Sequence, residues 1–306
     1  ALYKETMEQV EGGFARLIPW PSLKKNLPRK LKLSPIAAIP HKSRSFRKIL
    51  DLSYALNELP SVNDASPDAQ APLHTMDKLG KVLPRIIHAM ATVPTTDGPL
   101  LLAKLDLKDG YWRMVVSNDD EFNFAYVLPN TDPTNSEIMI VIPSALQMGW
   151  KLSPPFFCAA SETARNVSQA LLHTPTGSLP KHNFEAQMLP ADVETALSDN
   201  AEWTSDNQVT DTTTNHLYRL VEVYMDDFIG LIQSSNPNEL LHFSRALLHG
   251  IHSVFPPPEA SGHHGHDPIS EKKLQAGDGL WETRKEILGW IFDGANRTIE
   301  LPTDKV

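Results

Sequence analysis

Two β-rich apolar runs, Leu217 to Val223 and Phe228 to Ile232, flank the tetrapeptide Tyr224-Met225-Asp226-Asp227. That pattern predicts a hairpin with two adjacent carboxylates at its tip. Upstream, Leu100 to Leu105 reads as a strand that ends in an acid, Asp106. Tyr111 to Val116, the alternating stretch Phe122 to Leu128, and Ile138 to Ile142 read as further strands. Nearer the N-terminus, residues 14 to 50 read as an extended segment followed by a hairpin, with Ile36 to Pro40 and Phe46 to Leu52 around a polar turn at His41 to Ser45. The chain closes with a hairpin expected from Ile287 to Phe292, a turn at Asp293-Gly294, and Thr298 to Leu301.

Helical spacing marks three other stretches. Leu79, Val82, Leu83, Ile86, Ile87 and Met90 share one face, although Pro84 should kink or restart that helix. Ser153-Pro154 is a helix start, an oxygen-bearing cap followed by proline, with Phe156, Ala160, Ala164, Val167 and Leu171 on one apolar face. Asn236-Pro237 opens another, with Leu240, Phe243, Leu247, Ile251 and Val254 facing a core and His242, His249 and His252 mostly on the other side. An antiparallel sheet backed by two long helices on one face gives an α+β fold class.

Three polar stretches interrupt these elements. Residues 58 to 73 are rich in Pro, Ser, Asp and Ala and read as a loop. Residues 174 to 215 are polar and acidic, and are expected to be a disordered insertion. Residues 256 to 279 hold Pro256-Pro257-Pro258 and the cluster His263, His264 and His266. Close-set histidines can bind Zn²⁺, but the Gly and Pro around them point to a mobile surface loop.

Composition narrows the class. The chain has 306 residues, 41% of them hydrophobic, with no apolar run near the length of a membrane span. Ala1 to Gly12 carries mixed charges and no apolar signal-type segment, so an intracellular protein, cytoplasmic or nuclear, is expected. The single cysteine, Cys158, excludes an internal disulfide framework and sits in an apolar run that suits a buried small hydrophobe. A formal charge of −9 argues against nucleic-acid binding only as an average. Between Gly12 and Leu50 stand ten Lys or Arg and no Asp or Glu, interleaved with Phe14, Trp20, Leu31, Leu33, Ile36 and Ile39. That segment is a basic face that folds at least in part.

An Asp-Asp pair in a turn is most often solvated turn chemistry. Asp106, on a separate strand, supplies a third carboxylate, and two Mg²⁺ ions clamped by carboxylates from separate strands are what an in-line phosphoryl displacement requires. Five residues after Asp106 comes Tyr111, in Asp106-Leu107-Lys108-Asp109-Gly110-Tyr111. With this string the chain resembles the reverse transcriptase family. The resemblance continues through Leu146-Gln147-Met148-Gly149-Trp150-Lys151-Leu152-Ser153-Pro154 and Tyr224-Met225-Asp226-Asp227, in the family's order. Ser34 to Pro40 with Phe46 to Asp51 is similar to the fingers hairpin, and Ile287-Leu288-Gly289-Trp290 to the primer grip.

The resemblance implies a right-hand polymerase, with fingers at 1–85 and 114–150 and a palm at 86–113 and 151–306. The palm would be an antiparallel, ferredoxin-like sheet backed by helices. Asp106, Asp226 and Asp227 would be catalytic and would bind Mg²⁺ as two ions, with Mn²⁺ an alternative. Lys42, Arg47, Tyr111, Gln147, Met148, Gly149 and Lys272 would bind the nucleotide. Arg47 is the first choice for the triphosphate, Tyr111 the steric gate against ribose, and Lys272 or Lys273 the late acid for pyrophosphate. Trp150, Lys151, Tyr224, Met225, Leu288, Gly289 and Trp290 would meet template or primer.

The partners implied are an RNA or DNA template with primer, deoxynucleoside triphosphates, and the rest of a retroelement polyprotein (thumb, RNase H, integrase or recombinase), with no membrane. No thumb or RNase H is expected within 1–306.

One position departs from the family. Gln usually stands immediately before the Gly-Trp step, and here that residue is Met148, with Gln147 one place earlier. Met cannot donate a hydrogen bond to sugar or base. Either Gln147 reaches in through a shifted turn or the contact is lost. Two other readings stay open: an RNA-dependent RNA polymerase, and a catalytically weak or domesticated palm that binds nucleic acid or protein. Trp150 and Tyr111 also fit ordinary packing roles.

Overall fold

The computed structural model describes residues 2–41, 44–130, 134, 137–199, 217–234, 236–261 and 265–305. In chain order its helices are α1 (Leu2–Glu11), α2 (Trp20–Lys25), α3 (Val62–Ala65), α4 (Met76–Thr92), α5 (Ser153–Leu171), α6 (Ala191–Asp199), α7 (Pro237–Val254), α8 (Pro258–Ser261) and α9 (Glu271–Gln275). The strands are β1 (Ala15–Pro19), β2 (Ile36–His41), β3 (Arg44–Leu50), β4 (Leu101–Asp106), β5 (Tyr126–Val127), β6 (Met139–Pro143), β7 (Arg219–Tyr224), β8 (Asp227–Ile232), β9 (Arg284–Ile287), β10 (Trp290–Asp293) and β11 (Thr298–Glu300). Helices are mixed with small antiparallel sheets, and the chain divides into two compact units.

The first unit comprises 1–74, 109–159 and 257–268. Its sheet has the order β1-β6-β5, with Ala15 opposite Pro143 and Tyr126 opposite Val141, and β2 and β3 form a separate hairpin. Leu50, Leu52, Val62, Phe124, Tyr126 and Val141 make its core. Thr6 of α1 shares a 3.1 Å hydrogen bond with the Tyr126 hydroxyl, to which Lys48 Nζ donates at 2.8 Å. Burial pushes the Lys48 ammonium down to about 8.

Two expected strands of this unit are mainly 3₁₀ turns. After Asp109, at a left-handed φ of 59°, residues Gly110–Arg113 coil, and the run Tyr111 to Val116 keeps only a bridge from Val115 to Ala145. Asp120–Phe124 coils as well, leaving β5 two residues long. Ser117 starts that turn, since its Oγ accepts from Asp120 N at 3.2 Å and donates to Asp120 Oδ2 at 2.6 Å. This local cap competes with the strand pattern and wins. The loop expected over 58–73 holds α3, closed by a capping box between Ser61 and Asp64.

The second unit comprises 75–108, 160–256 and 269–306. Its sheet has the order β4-β8-β7, all antiparallel. Ile229 and Leu231 of β8 pack with Val82, Ile86, Ala89 and Met90 of α4. Gly230, on the alternate face, lies against Leu247 of α7 and the ring of Trp281, where a Cβ would collide. Helices therefore cover both faces of this sheet, α4 on one and α7 on the other. Pro84 sits inside α4 without ending it, and Ile87 is 41% exposed rather than part of the core stripe.

The buried stripe of α5 runs through Phe157, Cys158, Ala164 and Ser168 instead of Phe156, Ala160 and Val167. In the second unit Gly250 of α7 seats directly on Ser168, and a contact that close needs small residues on both helices. His242, expected outside, is 1% exposed, and burial lowers its pKa. The first part of the acidic segment folds: Met188 is fully buried, Arg245 grips Glu185, and α6 follows. Residues 200–216, the rest of the expected disordered insertion, lie outside the described residues, as do His263 and His264. In the 256–279 stretch, Ile269 and Leu274 are buried.

The closing hairpin is a three-stranded meander, β9-β10-β11. Leu288 and Gly289, at φ 51° and 82°, make a two-residue turn inside the run expected to be one strand.

Candidate functional site

In the second unit, β4 and β8 end together, and Asp106 is the direct cross-strand partner of Asp227. Tyr224 stands on the other side of Asp227 in the same row. Met225 and Asp226 form the turn, Met225 at a left-handed φ of 57° where glycine is usual, a backbone strain of about 1 kcal/mol. The Asp226 carbonyl accepts from Leu107 N at 2.9 Å, tying the turn to the end of β4. Three carboxylates are thereby gathered at one end of one sheet.

Like charges directly opposite one another destabilise a sheet, so this arrangement needs cations. Burial, with Asp226 and Asp106 adding to it and Lys104 opposing it, pushes the Asp227 carboxyl up to about 6. Asp226 is raised too, by burial and then by Asp106. Lys273 of α9 forms an ion pair with Asp106 Oδ1. Lys104, two residues before Asp106 on the same strand face, pairs with Asp278 Oδ2 at 3.5 Å. Sequence reading missed Lys104. Its place in the apolar run Leu100 to Leu105, at even spacing from Asp106, is the signal that could have found it.

Of the two candidates for the late acid, Lys273 reaches the acids, whereas Lys272 is exposed one residue earlier on α9. Among the described residues no group of three or more His, Cys, Asp or Glu side chains stands ready to hold a metal ion. Mg²⁺, however, is usually bound through one or two carboxylates, with substrate phosphates and water completing its shell. The opposed pair Asp106 and Asp227, with its surplus negative charge, fits that donor set. Tyr224 is 40% exposed and Trp290, after the Leu288-Gly289 turn, 36%.

The other predicted residues lie in the first unit. Gln147 is 3% exposed and donates from Nε2 to the Ala145 carbonyl at 2.7 Å, while its backbone carbonyl accepts from Ser153 Oγ at 2.7 Å. Its side-chain nitrogen is thus engaged within its own turn. Met148 is 43% exposed, and Arg47 donates to its sulfur. Gly149 has φ 99°, and a Cβ there would stand 2.9 Å from the Leu50 carbonyl, so only glycine fits the turn.

Asn63 braces the same turn by donating to Gly149 O at 2.9 Å and accepting from Lys151 N at 2.9 Å. Lys151 Nζ pairs with Asp68 at 2.8 Å. Trp150 stacks on Phe156 at 5.9 Å and donates to Ser66 Oγ at 2.8 Å, a packing role. Tyr111 meets Phe157 edge-on at 5.2 Å. Lys42 lies outside the described residues.

No family model matches the chain, and no curated protein does. A solved structure of the foamy viral protease-reverse transcriptase in complex with double-stranded DNA is similar over 98% of this chain, at 16% identity and a TM-score of 0.49. The match spans 35% of that viral chain. Among the described residues no helix is long and apolar enough to cross a membrane.

Proposed function

We propose that the chain carries out template-directed nucleotidyl transfer as the fingers and palm of an RNA-directed DNA polymerase. The observation that carries this reading is the pairing of Asp106 with Asp227 across two strands, with Asp226 in the adjoining turn. The order of the motifs around Asp106, Gly149-Trp150 and Asp226-Asp227 supports it. Asp106, Asp226 and Asp227 would hold the Mg²⁺ ions, whose chemistry is to stabilise the attacking and leaving oxygens of an in-line displacement.

The protein's own residues position the reactants. Arg47 presents a guanidinium that grips phosphate oxygens bidentately. Tyr111, backed edge-on by Phe157, places bulk against a ribose 2′ hydroxyl and so selects deoxynucleotides. The Leu288-Gly289 turn and Trp290 offer a surface to the primer strand.

Primer extension on an RNA template, with deoxynucleoside or ribonucleoside triphosphates, tests the reading against Asp106→Asn and Asp226→Asn. Extension with deoxynucleotides that both substitutions abolish is expected. Extension with ribonucleotides alone would mean an RNA polymerase, and activity indifferent to both substitutions would remove the assigned site. One observation favours a second reading, a palm that binds nucleic acid without catalysis: Gln147 is turned inward and Met148 holds the exposed corner. No extension, with retained RNA binding, is its signature.

A further inference from the structure

We infer that Lys273 is the resident counter-cation of the acidic centre, and that a divalent ion binds at Asp106 only by displacing it. Lys273 would therefore set the ion concentration the protein requires. The inference rests on the reading of Asp106, Asp226 and Asp227 as metal-binding acids.

The position of Lys273 is built by the fold. Ile269 bridges to Leu107, and Ser270 N donates to the Asp106 carbonyl at 2.9 Å, so the start of α9 is stitched to the end of β4. Lys273 N and Leu274 N then both donate to the Ser270 carbonyl at 3.0 Å. Leu274, 3% exposed, anchors the helix from below. This leaves the Lys273 ammonium on Asp106 Oδ1. An ammonium and a divalent ion both seek the lone pairs of that carboxylate, and a coordinated ion would also stand close to the ammonium charge.

The two lysines of the centre are held differently. Lys104, its side chain 18% exposed, is fixed by Asp278 and serves Asp227. Lys273, 45% exposed, sits on a short helix and can swing out into water. Exchange of lysine for metal is thus assigned to Asp106, where the leaving cation is the freer one.

The test is Mn²⁺ binding to the full 306-residue chain, read by the electron paramagnetic resonance signal of free Mn²⁺, without substrate. Wild type, Lys273→Met, Lys273→Arg and Asp106→Asn are compared. Loss of one competing charge at a partly buried carboxylate should tighten Mn²⁺ binding in Lys273→Met by about tenfold. Lys273→Arg should stay near wild type, and Asp106→Asn should lose the site. Lys273→Gln provides the same comparison should the Met variant not fold.

Equal or weaker Mn²⁺ binding in both neutral variants would overturn the inference while leaving the metal reading intact, provided Asp106→Asn still loses the ion. Absence of any Asp106-dependent binding in wild type and variants alike would overturn both.

Discussion

Asp106 and Asp227 face each other across β4 and β8 as direct partners in the ladder, two acids where a stable sheet would place a neutral or opposite pair. The folded protein therefore carries an electrostatic penalty at this point. Burial above all, opposed by Lys104 and helped by Asp226 and then Asp106, pushes the Asp227 carboxyl from an ordinary 3.8 up to about 6, so the native state binds a proton more tightly than the unfolded chain. The penalty is complete above pH 6 and is relieved as pH falls towards 4, where stability gains from this group. Two pKa units correspond to no more than about 3 kcal/mol. Asp227→Asn should accordingly raise the metal-free melting temperature at pH 8 and flatten its pH dependence between 4 and 7. A variant that melts lower at pH 8 would contradict this.

Glu222 of β7 is fully buried and takes both Nε and a terminal nitrogen of Arg85, with Arg165 at 4.0 Å. Glu222→Gln would remove the carboxylate that Arg85 hydrogen-bonds and that stands 4.0 Å from Arg165. Because Arg85 is partly exposed, a loss of about 2–3 kcal/mol is expected, below the usual range for a fully buried pair. Urea unfolding should show a lower midpoint at unchanged slope; an unaltered midpoint would mean the network is not needed for stability.

Tyr111 rests on Phe157, and a Cβ on Gly110 would stand 2.8 Å from that ring. Tyr111→Val should lower the preference for deoxynucleotides over ribonucleotides roughly tenfold or more, the range expected for a shape-based pocket. Phe157→Leu, which removes only the backing ring, should move the ratio in the same direction by less. Equal ratios in wild type and Tyr111→Val would remove Tyr111 from sugar selection.

Met148 stands exposed beside Arg47 and has no donor to offer a nucleotide. Met148→Gln should lower the KM for deoxynucleotides about fivefold, the value of one added hydrogen bond near 1 kcal/mol, with little change in kcat. Steady-state primer extension at varied nucleotide concentration reads the difference. A higher KM would show that the corner does not face the nucleotide.

Local chemistry was legible where it needed no partner. The helix starts at Ser153-Pro154 and Asn236-Pro237, the hairpin carrying Asp226 and Asp227, and the strand that ends at Asp106 follow from first-turn prolines, turn residues and apolar runs within a few positions. The stripe of α5 and the burial of His242 did not follow, because helix periodicity allows neighbouring stripes, and packing such as Gly250 on Ser168 decides between them. Tyr111 to Val116 and Phe122 to Leu128 had strand-like patterns, but Asp109 and Ser117 impose turns that a pattern of side chains does not record.

By itself, then, the sequence determined which acids the chain carries, the order in which its motifs come and the turn that presents Asp226 beside Asp227. Tertiary structure alone decided that Asp106 lies opposite Asp227, since a slip of one residue would send its side chain to the other face of the sheet. It also decided that Lys273, 167 residues away along the chain, answers their charge. Register and long-range charge pairing depend on distances between segments that no local pattern specifies.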